Sequence, residues 1–76
     1  MKSHTKIKNP KELGESILRE RKKLQLTQKE ISDFTDVGRK FVLDVEKGKT
    51  TAQIGKIFEL LSGLGLELHL IKRGES

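Results

Sequence analysis

The chain has no cysteine, no tryptophan and no tyrosine, one proline and three phenylalanines. The missing thiols exclude disulfides, a cysteine-built zinc ribbon and thiol catalysis. They agree with a reducing cytosol and are neutral elsewhere. With Phe34, Phe41 and Phe58 as the only aromatics, a core has to come from Leu, Ile and Val. No apolar run approaches the roughly 18 residues that a membrane span needs. The basic start, Met1 to Ile7, lacks the apolar stretch of a secretory signal. There is neither a Gly-rich phosphate loop nor a clustered His–carboxylate set, so no reaction finds its parts and a non-enzyme is expected. His4 and His69 stand 65 positions apart, a weak basis for a metal site, and neither metal nor cofactor is expected.

What is present amounts to one small domain: 76 residues, of which 33% are hydrophobic, near the lower end of what folds around a single core. Chains this short often gain stability from a second copy. The net charge of +5 comes from 16 Lys and Arg against 11 Asp and Glu. It is unevenly spread, with nine basic and three acidic residues in positions 1–29 and seven and eight in positions 30–76. A basic first third suits a polyanionic partner. It equally suits a merely solubilising surface, and charge alone does not choose.

Residues 1–8 lack a clear period and are expected to form a flexible segment. Asn9-Pro10-Lys11-Glu12 is a helix start, with Asn9 as cap, Pro10 at the first helical position and Glu12 three after the cap. Leu13, Ile17 and Leu24 follow on one face, with Leu18 beside them, giving a first helix to about Lys23. Thr27 with Glu30 forms a capping box for a second, short helix, interrupted at Asp36-Val37-Gly38, where Asp and Gly tolerate a left-handed turn. A third helix runs from about Gly38 to Lys47 and ends at Gly48. Thr50 or Thr51 is expected to cap a fourth, with Ile54, Ile57, Phe58 and Leu61 at i, i+3, i+4 and i+7 and Gly63 and Gly65 at its end.

The segment Leu66-Glu67-Leu68-His69-Leu70 alternates as a half-buried strand does. One strand cannot satisfy its backbone alone. Thr5 to Lys8 is the only intramolecular candidate, and the same strand of a second copy has the better apolar pattern. Leu66, Leu68 and Leu70 are then the dimerisation residues facing the core, with Glu67 and His69 outward. The division is a flexible segment over 1–8, a helical domain over 9–65, a dimerisation strand over 66–71 and a polar tail over 72–76.

Two helices joined by a tight Gly38 turn form a helix-turn-helix pattern, although helix–Gly–helix alone also fits an ordinary helical hairpin. The interior spacing adds to it. Ile31, small Ser32, Val37, Val42 and Val45 fall where such a unit needs its inside. Gly38, Arg39, Lys40, Leu43 and Asp44 remain as outward candidates on the third helix.

Leu26-Thr27-Gln28-Lys29-Glu30-Ile31, Asp36-Val37-Gly38-Arg39-Lys40-Phe41-Val42 and Val45-Glu46-Lys47-Gly48-Lys49 resemble the Cro/C1-type repressor domain. Gly48-Lys49-Thr50-Thr51-Ala52, Gly55-Lys56 and Leu61-Ser62-Gly63-Leu64-Gly65-Leu66, with the opening Ile7 to Leu13, are similar to the HipB-type antitoxins, partners of HipA-type kinase toxins. The resemblance covers about residues 7–71. It implies a mainly α, lambda-repressor-like helical bundle with a central helix-turn-helix and one short C-terminal β-strand pairing across a dimer. The implied function is sequence-specific transcriptional repression. A homodimer would bind a palindromic operator in double-stranded DNA, with half-sites roughly 34–36 Å apart. It would autoregulate its operon and bind a HipA-type kinase toxin, in the bacterial cytoplasm at the nucleoid and without a membrane. A stand-alone Cro/C1-type regulator without a toxin is the alternative.

The resemblance also assigns roles. Gln28 meets the DNA backbone and supports the recognition helix. Gly38, Arg39 and Lys40, with Leu43 behind them, face base edges and flanking phosphates, where Arg suits guanine O6 and N7. Lys47 and Lys49 are expected as phosphate contacts, which position without reading sequence. Thr27 is a helix cap, a phosphate contact or both. Arg21 and Glu46 match a structural ion pair. Two residues depart from the family pattern. Asp36 stands where Gly is most common. Asp44 points an acid outward, to accept from a cytosine amino group or to pair with Lys40 one turn earlier.

Overall fold

A computed structural model describes residues 4–74. Positions 1–3 of the expected flexible segment and 75–76 of the expected tail lie outside it. Four helices follow in order: α1 (Pro10–Lys23), α2 (Gln28–Thr35), α3 (Arg39–Glu46) and α4 (Ile54–Gly63).

The local chemistry of the caps sets most of these boundaries. The Asn9 carboxamide oxygen accepts from the Glu12 amide at 2.9 Å, and Pro10 opens α1. Thr27 and Glu30 exchange the two bonds of a capping box, at 3.0 and 2.8 Å. Helices α1, α3 and α4 end alike. The sixth residue's amide reaches back to the first residue's carbonyl: Leu26 to Arg21, Lys49 to Asp44 and Leu66 to Leu61. A left-handed residue precedes it each time, Gln25, Gly48 or Gly65. This is the Schellman arrangement, which satisfies carbonyls that the helix leaves orphaned.

The core consists of Ile17, Ile31, Val37, Val42, Val45, Ile57, Leu60, Leu61 and Leu64. Helix α1 packs closely on α3, and α2 touches both α3 and α4. A methyl group at Gly14 would run into the carbonyls of Val45 and Glu46, so the bare glycine is what lets α1 and the end of α3 approach backbone to backbone.

Three expectations are corrected. The cap of α4 is Gln53, without a side-chain hydrogen bond, and not Thr50 or Thr51. Helix α4 also presents a different face: Leu60 is buried with Ile57 and Leu61, while Ile54 and Phe58 are 61% and 49% exposed. The side of α4 that is covered is the one against α2, where Gly63 meets Thr35, and periodicity does not contain that choice. In α1, Leu24 lies past the last helical residue and is exposed, and buried Arg21 takes a place on the inner face.

No strand forms among the described residues, so the expected C-terminal strand is absent from the single chain. Leu66 packs against the core, but Leu68 is half exposed and Leu70 is 95% exposed. The chain's N-terminal segment does lie alongside, with the His4 and His69 rings 5.7 Å apart. It offers no hydrogen-bonded ladder, and an isolated extended segment without a partner has no reason to become a strand.

Candidate nucleic-acid interface

The candidate interface is the unit α2–turn–α3. Asp36 takes the left-handed conformation at the end of α2, φ 63 and ψ 20, the geometry for which Gly is the default and to which Asp is among the better-tolerated alternatives. Val37 behind it is buried. Ser32 does more than leave room. Its hydroxyl donates to the Val37 carbonyl at 2.6 Å, tying the turn to the preceding helix. The Thr35 hydroxyl donates to the Ile31 carbonyl at 2.7 Å. The first bond pins the turn to α2, and the second lies within α2 itself.

Beyond the turn, Gly38 caps α3 in an extended conformation with no side-chain cap. Gly38, Arg39 and Lys40 are exposed, Leu43 is half-buried, and Val42 and Val45 face inward, as the interior spacing requires. The first turn of α3 therefore offers open backbone amides, one guanidinium and one ammonium on a single edge. Thr27 stands exposed at the start of α2. Its oxygen accepts from the Glu30 amide but its O–H remains a donor, so capping and a phosphate contact are compatible.

Asp44 pairs as its spacing suggested. The Lys40 ammonium lies 3.4 Å from its carboxylate, and Lys49, from beyond the helix, approaches to 3.6 Å. Partial desolvation works against the charged carboxylate. The hydrogen bond and charge of Lys40, joined by Lys49, outweigh it and hold the Asp44 pKa below its ordinary value. The acid thus stays ionised, with two ammonium groups of its own chain opposite it. Lys47 is exposed at the end of α3.

At the other end of α3 lies a part-buried hydrogen-bonded polar cluster. The Arg21 guanidinium donates from Nε to Glu46 Oε2 at 2.7 Å and from Nη2 to Oε1 at 3.0 Å. Its Nη1 donates to the Leu26 carbonyl at 2.8 Å. The Gln28 carboxamide donates to Glu46 Oε1 at 3.0 Å, so Gln28 connects the start of α2 to the end of α3. The Glu46 hydrogen bond pushes the Arg21 pKa up, against the cost of its burial. The Glu46 carboxylate thereby joins α3 to α1 and α2, and the Arg21 guanidinium adds the α1–α2 loop. The sequence reading placed Arg21 with Glu46 but missed that Gln28 shares the carboxylate. It also missed Gly14, whose only signal was a lone glycine inside a helical pattern.

Among the described residues no helix is long and apolar enough to cross a membrane.

Residues 17–71 match the family described as Helix-turn-helix, HTH_3. A relative from Sinorhizobium fredii, an uncharacterized HTH-type transcriptional regulator, y4mF, is 39% identical over 70 residues, with 92% of each chain covered. The fold is also similar to that of a HipB-O4 20mer complex, with TM-score 0.85, 20% identity and 92% and 99% of the two chains covered. A HipA-HipB-O2-O3 complex gives the same TM-score, identity and coverage. The chain belongs to the helix-turn-helix family of Cro/C1-type transcriptional regulators. It is a regulator and not an enzyme.

Proposed function

We propose that the chain is a sequence-specific DNA-binding repressor, the HipB-like antitoxin of a toxin–antitoxin module, which autoregulates its operon and binds a HipA-type kinase toxin. The observation that carries the DNA half is the exposed first turn of α3, without a side-chain cap, on a helix whose other end is anchored by Arg21, Glu46 and Gln28. An α-helix is about 10–12 Å across with its side chains, which suits the roughly 12 Å width of the major groove. With α3 laid there, Arg39 takes a guanine edge and Lys40 a base edge or a flanking phosphate. Leu43 offers an apolar contact, while Thr27, Gln28, Lys47 and Lys49 meet the backbone on either side. The site residues act by position and charge alone, with no cofactor.

A palindromic operator follows from a dimer whose two α3 helices lie about one DNA turn apart. Exposed Leu68, Leu70 and Ile71 supply an apolar edge for pairing with a second copy. The toxin half draws support from the likeness to the HipB structures, one of which contains HipA. The relative described only as a transcriptional regulator favours the second reading, a stand-alone Cro/C1-type regulator.

Tagged full-length chain purified from its native host tests both. Recovery of a kinase-fold protein together with DNA from the chain's own promoter is the expected result. Promoter DNA without a kinase leaves the stand-alone regulator. No enrichment of any DNA overturns both readings.

A further inference from the structure

Gly48, with φ +90, sits so close to the first turn of α1 that an added methyl would lie 3.0 Å from the Lys11 Cα. The start of α1 is therefore pressed against the turn that carries Lys47 and Lys49. Lys8 belongs to the same neighbourhood, because Lys8 and Lys49 both line one surface groove whose other walls are mostly apolar. Lys8, Lys11, Lys47 and Lys49 are all exposed, and among the described residues Lys8, Lys11 and Lys47 have no ion-pair partner. Of the nearby acids, Asp44 pairs with Lys49 at 3.6 Å and Glu12 accepts the Lys8 backbone amide at 2.6 Å.

Four exposed lysines, three of them without an ion-pair partner among the described residues, thus sit on two sequence-distant segments that meet, and such a local excess of positive charge attracts a polyanion. We propose that Lys8 and Lys11 of the α1 start join Lys47 and Lys49 in one cationic ledge that binds consecutive phosphates of duplex DNA. This inference rests on the DNA-binding reading above and adds to it the N-terminal end of α1, which neither the motif nor the recognition helix includes. The ledge lies at the far end of α3 from Arg39, about one helix length of 12 Å away. It therefore grips the strand flanking the groove and extends the footprint outward from each half-site. Its contacts go to phosphates alone and add affinity without sequence preference.

Binding of the full-length chain to a random-sequence duplex several turns long, measured across a salt series, tests this. Each phosphate neutralised contributes about −0.9 to the slope of log K against log[salt]. The K8Q/K11Q double variant is expected to flatten the wild-type slope by about 1.8, K8R/K11R to restore it, and the charge-matched tail variant K72Q/R73Q to leave it unchanged. Wild-type binding with an unaltered slope in K8Q/K11Q overturns the ledge and leaves the DNA-binding reading standing. So does a loss as large in K72Q/R73Q, because overall charge would then explain it. Absence of any duplex affinity in the wild type at low salt overturns both. The substituted side chains are exposed, and unchanged thermal unfolding of each variant excludes a folding defect.

Discussion

The Arg21 guanidinium holds the Glu46 carboxylate in a two-pronged grip, and both side chains are almost fully enclosed, with 10% and 4% of their surface exposed. The third guanidinium nitrogen is satisfied by the Leu26 carbonyl, and one carboxylate oxygen also accepts from Gln28. The pair thus fixes the far end of α3 to α1 and to the beginning of α2, leaving the near end of α3 free to present Arg39. Substitution of Glu46 by Leu strands a buried cation, at a cost of about 3–5 kcal/mol. In a domain of this size each kcal/mol corresponds to about 4–8 °C in Tm. Joint replacement, Arg21→Met with Glu46→Leu, is expected to cost much less than the single change, because it leaves no unpaired charge. Urea unfolding of the two variants checks this, and equal losses would contradict it.

The contact between α1 and α3 makes a second expectation. Gly14→Ala forces a methyl group against the Val45 and Glu46 carbonyls, neither of which is the end of a flexible side chain, and overpacking of this kind costs about 1–3 kcal/mol. Gly55 in α4 has nothing within 4 Å of a built methyl. Gly55→Ala is expected to raise stability by a fraction of the ~1 kcal/mol helix preference of Ala over Gly. Opposite signs for one chemical change, read by thermal unfolding, follow only if the close approach is real.

These positions also explain which features were legible in the sequence. The starts of α1 and α2 were readable because Asn9, Thr27 and Glu30 cap through their own side chains. The start of α4 was not, because Gln53 makes no such bond. The interior of the helix-turn-helix was readable because each of its apolar positions has one role. The α4 face was not, because Ile54, Ile57, Phe58 and Leu61 form a plausible stripe while Leu60 is what α4 buries. Arg21 was placed by resemblance alone. Its charge otherwise belongs to the run Arg19 to Lys23, which reads as solvated surface. Gln28 looked like a DNA contact, and its hydrogen bond to Glu46 depends on an approach of α2 and α3 that spacing does not encode. Asp36 departs from the commoner Gly, yet it adopts the left-handed turn that the departure put in question.

The alternation of Leu66, Leu68 and Leu70 is a property of the sequence that the single chain does not use, since Leu68 and Leu70 are exposed and no strand forms among the described residues. In the dimer proposed above, a second copy completes a ladder and covers both leucines. Wild-type chain is expected to scatter light as a dimer and Leu68→Glu as a folded monomer with unchanged helical circular dichroism. A Leu68→Glu variant that remains dimeric would show that the strand is not the pairing element.

In the proposed complex the first turn of α3 reads bases while the charges at its far end only hold the backbone. The direct measurement is affinity for an operator, selected from random DNA by the wild-type chain, set against affinity for random duplex at one fixed salt concentration. Arg39→Ala is expected to lose about 1–3 kcal/mol of that discrimination, as removal of a bidentate guanine contact does, with random-DNA affinity changed much less. Lys49→Ala is expected to weaken both duplexes about equally. If Arg39→Ala lowers operator and random affinity by the same factor, Arg39 does not read bases and the assignment of α3 as the reading edge is contradicted.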